Sequence, residues 1–74
     1  MLMLDIYINQ QKLAVKNGSN LQHAVEQYLS EYESIELANV ALVVNQNIIP
    51  RSYWQSRLCR NQERFEIFSA VAGG

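Results

Sequence analysis

The sequence predicts an α+β fold in which one helix packs across one face of a mixed sheet of four to five strands. Short apolar segments with the alternating period of strands surround one segment with a helical period, in the order strand, strand, helix, strand, short strand, strand. The 74 residues allow one domain. We therefore expect residues 1–74 to form a single domain with a flexible C-terminal tail from about 71 to 74.

The first two strands are expected to form a hairpin. Leu4, Ile6 and Ile8 alternate with more polar residues, which is the pattern of a half-buried strand. Asn9-Gln10-Gln11 then reads as a tight turn without glycine, and a second short strand follows over residues 12–15.

One helix follows a cluster of turn-forming residues, Asn17-Gly18-Ser19-Asn20, in which Ser19 or Asn20 is a suitable N-cap. Apolar side chains then recur at helical spacing and predict one buried stripe: Leu21, Ala24, Val25, Tyr28 and Leu29. We expect the helix to end near Glu31 or Tyr32.

The second half of the chain supplies the remaining strands. Residues 40–45 are β-branched and apolar, typical of a central strand, and a very short strand at Ile48-Ile49 ends at Pro50. The last strand is expected over about 64–71, beside the first strand in the middle of the sheet. Further apolar residues are expected to give irregular contacts to the core: Tyr53, Trp54 and Leu58.

Composition argues against several classes of protein. The net charge is −1 and the six basic residues are scattered, whereas nucleic-acid binding normally needs a basic stripe. No apolar run is long enough to span a bilayer, and the N-terminus lacks the pattern of a signal peptide. One cysteine permits neither an internal disulfide nor a cysteine-based metal cluster. We therefore expect a cytoplasmic protein that binds no nucleic acid, membrane or metal.

The side chains offer no convincing catalytic constellation. His23 has no histidine or cysteine partner close in sequence, and a solvated surface position is the simpler interpretation. Cys59 lies between Arg57 and Arg60, which would lower its pKa a little, but a structural cysteine is the favoured interpretation. The acidic residues form no pair across a cleft and read as solvated surface. We expect no enzyme and no catalytic side chain.

The C-terminus, Ala72-Gly73-Gly74, directs attention to the main chain. Glycine adds no bulk and permits any backbone conformation, so such an end can be drawn into a narrow channel of another protein. The carboxylate of Gly74 could there attack the α-phosphate of ATP and form an acyl-adenylate. The alternative interpretation is a frayed end.

Motifs along nearly the whole chain resemble the thiamine-biosynthesis sulfur carrier proteins, which have the ubiquitin-like β-grasp fold. Ile8-Asn9-Gln10 resembles the family's first hairpin, and 17–21 resembles its entry to the helix, with Asn20 where Thr is usual. The run 43–51 resembles its central signature, and the diglycine completes the likeness. Gln62-Glu63 replaces the family's usual Gly-Asp pair, which implies a different turn before the last strand.

The resemblance implies a carrier and not an enzyme. An E1-like adenylating enzyme would use ATP and Mg²⁺ to adenylate Gly74, and the carrier itself would bind no cofactor. Sulfur from a cysteine desulfurase relay, or from another sulfide source, would then leave a thiocarboxylate on Gly74 for delivery to thiazole synthase. A carrier that visits several enzymes is expected to be a monomer when free.

Partners are expected to bind the sheet face away from the helix. By strand alternation this face carries Glu66, Phe68 and Ala70 of the last strand together with Ala41 and Val43 of the central strand. We predict Phe68 as its apolar anchor. A register shift by one residue would instead put Phe68 in the core. Arg51 would either cap a turn or contact a partner.

Three other functions stay open. The small subunit of molybdopterin synthase shares the diglycine and the chemistry but delivers sulfur elsewhere. A ubiquitin-like modifier would share the adenylate and differ in the fate of the activated carbonyl. A plain β-grasp interaction module would carry an incidental diglycine, and removal of Gly74 would leave its activity intact.

Overall fold

The computed structural model describes residues 2–32 and 35–69. Its strands and helix are β1 (Met3–Ile8), β2 (Gln11–Lys16), α1 (Leu21–Tyr32), β3 (Val40–Val44), β4 (Asn47–Ile49) and β5 (Arg64–Ser69). Short 3₁₀ turns at Leu37–Asn39 and Arg51–Tyr53 lie in the connections. The predicted α+β fold class is confirmed. The predicted last strand extended to Val71, and residues 70 and 71 lie outside the described part.

The five strands form one sheet in the order β2-β1-β5-β3-β4. β5 lies in the middle, parallel to β1 and antiparallel to β3. The pairing with β1 aligns Ile8 with Phe65, and the pairing with β3 aligns Val40 with Ser69. The central place predicted for the last strand, beside the first, is therefore confirmed.

Two hairpins are closed by the same dipeptide. Asn9-Gln10 joins β1 to β2 and Asn45-Gln46 joins β3 to β4, and all four residues have positive φ, between 50° and 68°. Two-residue loops with positive φ at both positions match the right-handed twist of the flanking strands, and asparagine is a preferred first residue there. The second position usually belongs to glycine, so glutamine at this place leaves local strain.

Main-chain amides in the first turn of α1 donate hydrogen bonds to the N-cap residue and to the loop that precedes β5. Asn20 Oδ1 accepts a hydrogen bond from the His23 amide at 2.8 Å, which identifies Asn20 as the N-cap. The Leu21 amide donates to the Arg57 carbonyl and the Gln22 amide to the Trp54 carbonyl. Because these amides have no partner within the helix, the loop completes the helix start and is fixed by it.

The core lies between α1 and the inward face of the sheet. All five residues of the predicted helical stripe are buried, as are Ile6, Ile8, Leu42 and Phe65 of the sheet. Trp54 is also buried, and its indole donates to the Ile49 carbonyl. The expectation for Tyr53 and Leu58 is wrong, because they are 59% and 55% exposed. Cys59 is buried instead of its neighbour Leu58.

The turn before β5 has a conformation that favours glycine. Gln62 has φ +68°, and its amide donates to the Asp5 carbonyl. The backbone there lies in the left-handed region, which has a steric cost for glutamine that glycine avoids. The changed turn that the sequence predicted, relative to the family that it resembles, stays a prediction. Glu63 was expected to be a solvated surface residue. This expectation is wrong, because Arg57 donates hydrogen bonds to both carboxylate oxygens of Glu63. This bidentate pair raises the pKa of Arg57 and ties the loop to the start of β5.

The substitution Gln62→Gly is expected to raise the free energy of unfolding by about 0.5–1 kcal/mol, because glycine adopts positive φ without the steric cost that glutamine has. Urea denaturation monitored by Trp54 fluorescence measures the change. Gln55→Gly is the control: Gln55 is exposed and does not have positive φ, so this variant is expected to lose stability. Equal effects in the two variants would contradict the assignment of strain to Gln62.

Candidate functional site

The outer face of the sheet points away from α1. It carries an apolar patch over three neighbouring strands, β5, β3 and β4. Alternation from the buried Leu42 and Phe65 places Ala41, Val43, Ile48 and Phe68 on this face. Phe68 lies opposite Ala41, and Ile48 lies opposite Val43. We call these four residues the outer patch.

Two members of the outer patch are strongly exposed. Phe68 is 55% exposed and Ile48 is 69% exposed. An exposed aromatic beside aliphatic side chains is the composition of interface centres, since the buried middle of a protein–protein interface is rich in aromatic residues. Sequence reasoning named Ala41, Val43 and Phe68 but missed Ile48. The signal was present, because alternation through the Asn45-Gln46 turn puts Ile48 on the side of Val43.

A groove adjoins the outer patch at the start of β5. It has a volume of about 630 Å³ and runs between the two Asn-Gln turns, with Tyr7, Val43, Arg64 and Glu66 among its lining residues. The guanidinium of Arg64 stacks over the Tyr7 ring at 4.6 Å. Glu66 is exposed on the same face. The groove therefore presents one positive and one negative side chain beside an apolar surface.

Asn9 joins the β1–β2 turn to the middle of β5. Its Oδ1 accepts a hydrogen bond from the Ile67 amide at 2.8 Å, and its Nδ2 lies 3.4 Å from the Ile67 carbonyl. The Asn9 amide itself donates to the Phe65 carbonyl. The carboxamide thus continues the pairing of β1 with β5 after β1 has turned away. Sequence reasoning assigned Asn9 to a turn and missed this contact, which requires the register of two distant strands.

Arg51 is held by the protein's own main chain. Its guanidinium donates to the Val40 carbonyl at 2.7 Å and stacks over the Trp54 ring at 4.5 Å. Since Val40 pairs with Ser69, Arg51 buttresses β3 next to the last described residue of β5. A role of Arg51 in partner binding stays a prediction.

The remaining predicted site residues belong to the tail. Ala70, Ala72, Gly73 and Gly74 lie outside the described residues. The described strand that leads towards them is β5, which ends beside Val40 with Phe68 in the outer patch.

Cys59 is placed for structure rather than reactivity. Its Sγ lies 3.6 Å from the Asn20 carbonyl, and burial raises the pKa of the thiol from an ordinary 9.0 to about 11. The negative charge of Glu63 contributes to this rise, and the positive charge of Arg57 opposes it. Arg57 therefore lowers the pKa of the thiol, as expected, but burial outweighs it and the net pKa is raised.

The other ionisable residues do not assemble a centre in the described part of the chain. His23 is exposed at the start of α1. Within 2–32 and 35–69, no three His, Cys, Asp or Glu side chains lie together as a metal site. None of the described helices is long and apolar enough to cross a membrane.

Comparison with known protein families decides between the possible interpretations of this fold. The sequence model of the ThiS family matches residues 5–74, which is nearly the whole chain and includes the diglycine. The chain belongs to the ThiS family. The sulfur carrier protein ThiS of Escherichia coli is 28% identical over 71 residues, which cover 96% of this chain and all of that protein.

Solved structures confirm the ThiS-like fold. The crystal structure of a thiamine biosynthesis protein (ThiS) from Geobacter metallireducens superposes with a TM-score of 0.68 at 15% identity, covering 96% of this chain and all of that one. The solution structure of an N-terminal ubiquitin-like domain also gives 0.68, at 13% identity, over 99% of this chain and 78% of that one. The expected ubiquitin-like β-grasp fold is therefore confirmed.

The raised pKa of Cys59 predicts a loss of stability in alkali. The unfolded thiol ionises above pH 9 while the folded thiol stays neutral to about pH 11, so stability present below pH 9 falls as the pH rises through this window. The loss by pH 11 should be on the order of 2 kcal/mol, since each pKa unit corresponds to about 1.4 kcal/mol. Urea denaturation between pH 8 and 11, compared with Cys59→Ala, measures it.

Cys59→Ala should be less stable at pH 8 but should lose less stability towards pH 11. Alkylation of the native wild-type thiol by iodoacetamide at pH 8 should also be at least about tenfold slower than alkylation in urea, because the thiolate is the reactive form. Parallel pH profiles for the two proteins, or equal alkylation rates, would contradict the assignment.

Proposed function

We propose that this chain is a sulfur carrier for thiamine thiazole synthesis, with the carboxylate of Gly74 as its working group. The carboxylate attacks the α-phosphorus of ATP within a partner adenylating enzyme, and pyrophosphate leaves. A sulfide-equivalent nucleophile then attacks the acyl-adenylate carbon, AMP leaves, and a thiocarboxylate is formed. Thiazole synthase receives that sulfur.

The match of the ThiS family to residues 5–74 is the observation that carries this proposal. It extends to the diglycine, and the E. coli relative that aligns over its full length is a sulfur carrier protein. Adenylation converts a poor leaving group into a good one, and sulfur makes the product a better nucleophile than a carboxylate. The carrier supplies the carbonyl, while the partner binds ATP and Mg²⁺.

The described side chains support a carrier rather than a catalyst. The one cysteine is buried with a raised pKa, so it is a poor candidate for carrying sulfur as a persulfide. The outer patch is a suitable docking surface for the adenylating enzyme and for thiazole synthase. Its member Phe68 lies on β5, one residue before the last described residue, so a partner that binds the outer patch contacts the strand that precedes the tail in the chain.

The first test is the intact mass of the protein after incubation with ATP, Mg²⁺, the source organism's adenylating enzyme, a cysteine desulfurase and cysteine. We expect a mass gain equal to the replacement of one oxygen by sulfur. Addition of a whole sulfur atom that is removed by a thiol reductant would instead indicate a persulfide on Cys59.

Deletion of Gly74 is the matched control for this experiment, since it shortens the tail and leaves every described residue in place. The mass gain should disappear in this variant and persist in Cys59→Ala. If the wild-type chain forms neither adenylate nor thiocarboxylate, the carrier function is wrong and an interaction module is the better interpretation.

Phe68→Ala is expected to raise the KM for the carrier in the adenylation reaction by about tenfold or more. Truncation of an interface anchor costs about 2 kcal/mol of binding or more, and a tenfold change corresponds to about 1.4 kcal/mol. Its melting temperature should change little, since more than half of the side chain is exposed. Pyrophosphate release at varied carrier concentration measures KM and kcat.

Leu58→Ala is the control for Phe68→Ala. Both side chains are 55% exposed, but Leu58 lies in the loop that bridges to Asn20 at the start of α1. We expect wild-type kinetics for this variant. The interface assignment would be refuted if Phe68→Ala lost stability and kept its KM, or if both variants raised KM equally.

A further inference from the structure

We infer that Asn9 is a positioning residue that fixes the orientation of the second half of β5, the strand that precedes the C-terminal residues in the chain. This inference rests on the proposed carrier function. It concerns a residue of the β1–β2 turn that acts through the main chain of Ile67.

The first step is the difference in length between the neighbours of β5. On one side, β3 pairs with β5 from Glu66 to Ser69. On the other side, the described pairing with β1 covers Arg64 and Phe65, because the chain turns back at Asn9-Gln10. Strand pairing therefore holds the second half of β5 along the edge that faces β3. On the other edge, the Asn9 side chain supplies the contact.

The second step is the geometry of that side chain. The amides of Tyr7 and Asn9 donate to the carbonyls of Glu63 and Phe65, as in a regular parallel ladder. The next acceptor along β5 is the Ile67 carbonyl, and the Asn9 Nδ2 lies near it while Oδ1 takes the Ile67 amide. One carboxamide thus replaces the main-chain groups that a longer β1 would have supplied.

The third step is position. Ile67 immediately precedes Phe68, the proposed anchor of the outer patch, and lies two residues before Ser69, the last described residue. At this point β3 pairs with one edge of β5, and the Asn9 side chain binds the other edge at Ile67. Together they define the orientation of β5 when a partner binds Phe68. Since a misplacement of about 1 Å can cost on the order of a hundredfold in rate, the aim of the strand that delivers Gly74 matters for adenylation.

The chain contains its own control. Asn45 occupies the equivalent place in the second Asn-Gln turn, with φ 51° against 50° at Asn9. In the described part of the chain, the Asn45 side chain makes no hydrogen bond to β5. Glycine favours positive φ at both places, so Asn9→Gly and Asn45→Gly preserve their turns and differ in the loss of the contact to Ile67.

The experiment measures adenylation by the source organism's adenylating enzyme, as pyrophosphate release at varied carrier concentration, together with amide hydrogen exchange by NMR. Asn9→Gly should lower kcat roughly tenfold with KM within about twofold of the wild type, because the outer patch is unchanged. Exchange of the Ile67 amide should accelerate in the same variant. Asn45→Gly should match the wild type in both measurements.

Asn9→Asp provides the rescue. Aspartate tolerates positive φ and its carboxylate still accepts from the Ile67 amide, so part of the lost kcat and of the lost exchange protection should return. Wild-type kcat in Asn9→Gly, or an equal loss in Asn45→Gly, would overturn the positioning role while leaving the carrier function intact. Failure of the wild type to be adenylated would instead refute the carrier function itself.

Discussion

The insertion of β5 between β1 and β3 is the interaction on which the rest of the structure depends. β1 and β2 form one hairpin and β3 and β4 form another, and each hairpin is local in sequence. β5 joins them into one sheet, because it pairs with β1 on one side and with β3 on the other. Without it, α1 would have two separate two-stranded units to cover, and isolated hairpins are marginally stable in water.

The same strand links stability to the proposed function. Phe65 is buried beneath α1, while Phe68 of the same strand is exposed on the outer face. The register with β3 determines which of these aromatic residues faces the core, since a slip of one residue would exchange the two faces. In the proposed carrier, the central strand both contributes Phe68 to the outer patch and precedes the C-terminal residues in the chain. Arg51 and Asn9 reinforce the sheet around this strand from opposite sides, through Val40 and Ile67.

Periodicity predicted the strands, the helix and the side of the sheet on which Phe68 lies, because alternation and helical spacing are local properties of the sequence. The errors fall in the loop from 50 to 63, where the chain has no period. Leu58 and Cys59 are both apolar by composition, and their burial depends on how the loop meets the start of α1. The Arg57–Glu63 pair likewise depends on a turn whose conformation, with Gln62 at positive φ, no propensity favours.

The candidate site shows the same division between local and distant information. The diglycine and the central signature are readable directly, since they are contiguous in sequence, and they led to the family. Asn9 could be assigned to a turn from its residue type, but its contact with Ile67 spans 58 positions and follows from the pairing of two strands. A contact between residues so far apart can be assigned only when the register of the two strands is known. The proposed positioning role of Asn9 therefore rests on the structure and not on the sequence motif.

The proposed use of a main-chain carboxylate as the reactive group is consistent with the chain's small size. A protein of 74 residues has little surface that it can remove from water, and a walled active site would compete with the core for the same residues. The described titratable groups next to the core are used for packing or pairing, as buried Cys59 and the Arg57–Glu63 pair illustrate. The proposed main-chain carboxylate would avoid this competition, because it would need no pocket in the carrier and would use the pocket of the partner. On this proposal, the remaining structural requirement is to orient β5, the strand that precedes the C-terminal residues, and pairing of β5 along both edges supports it.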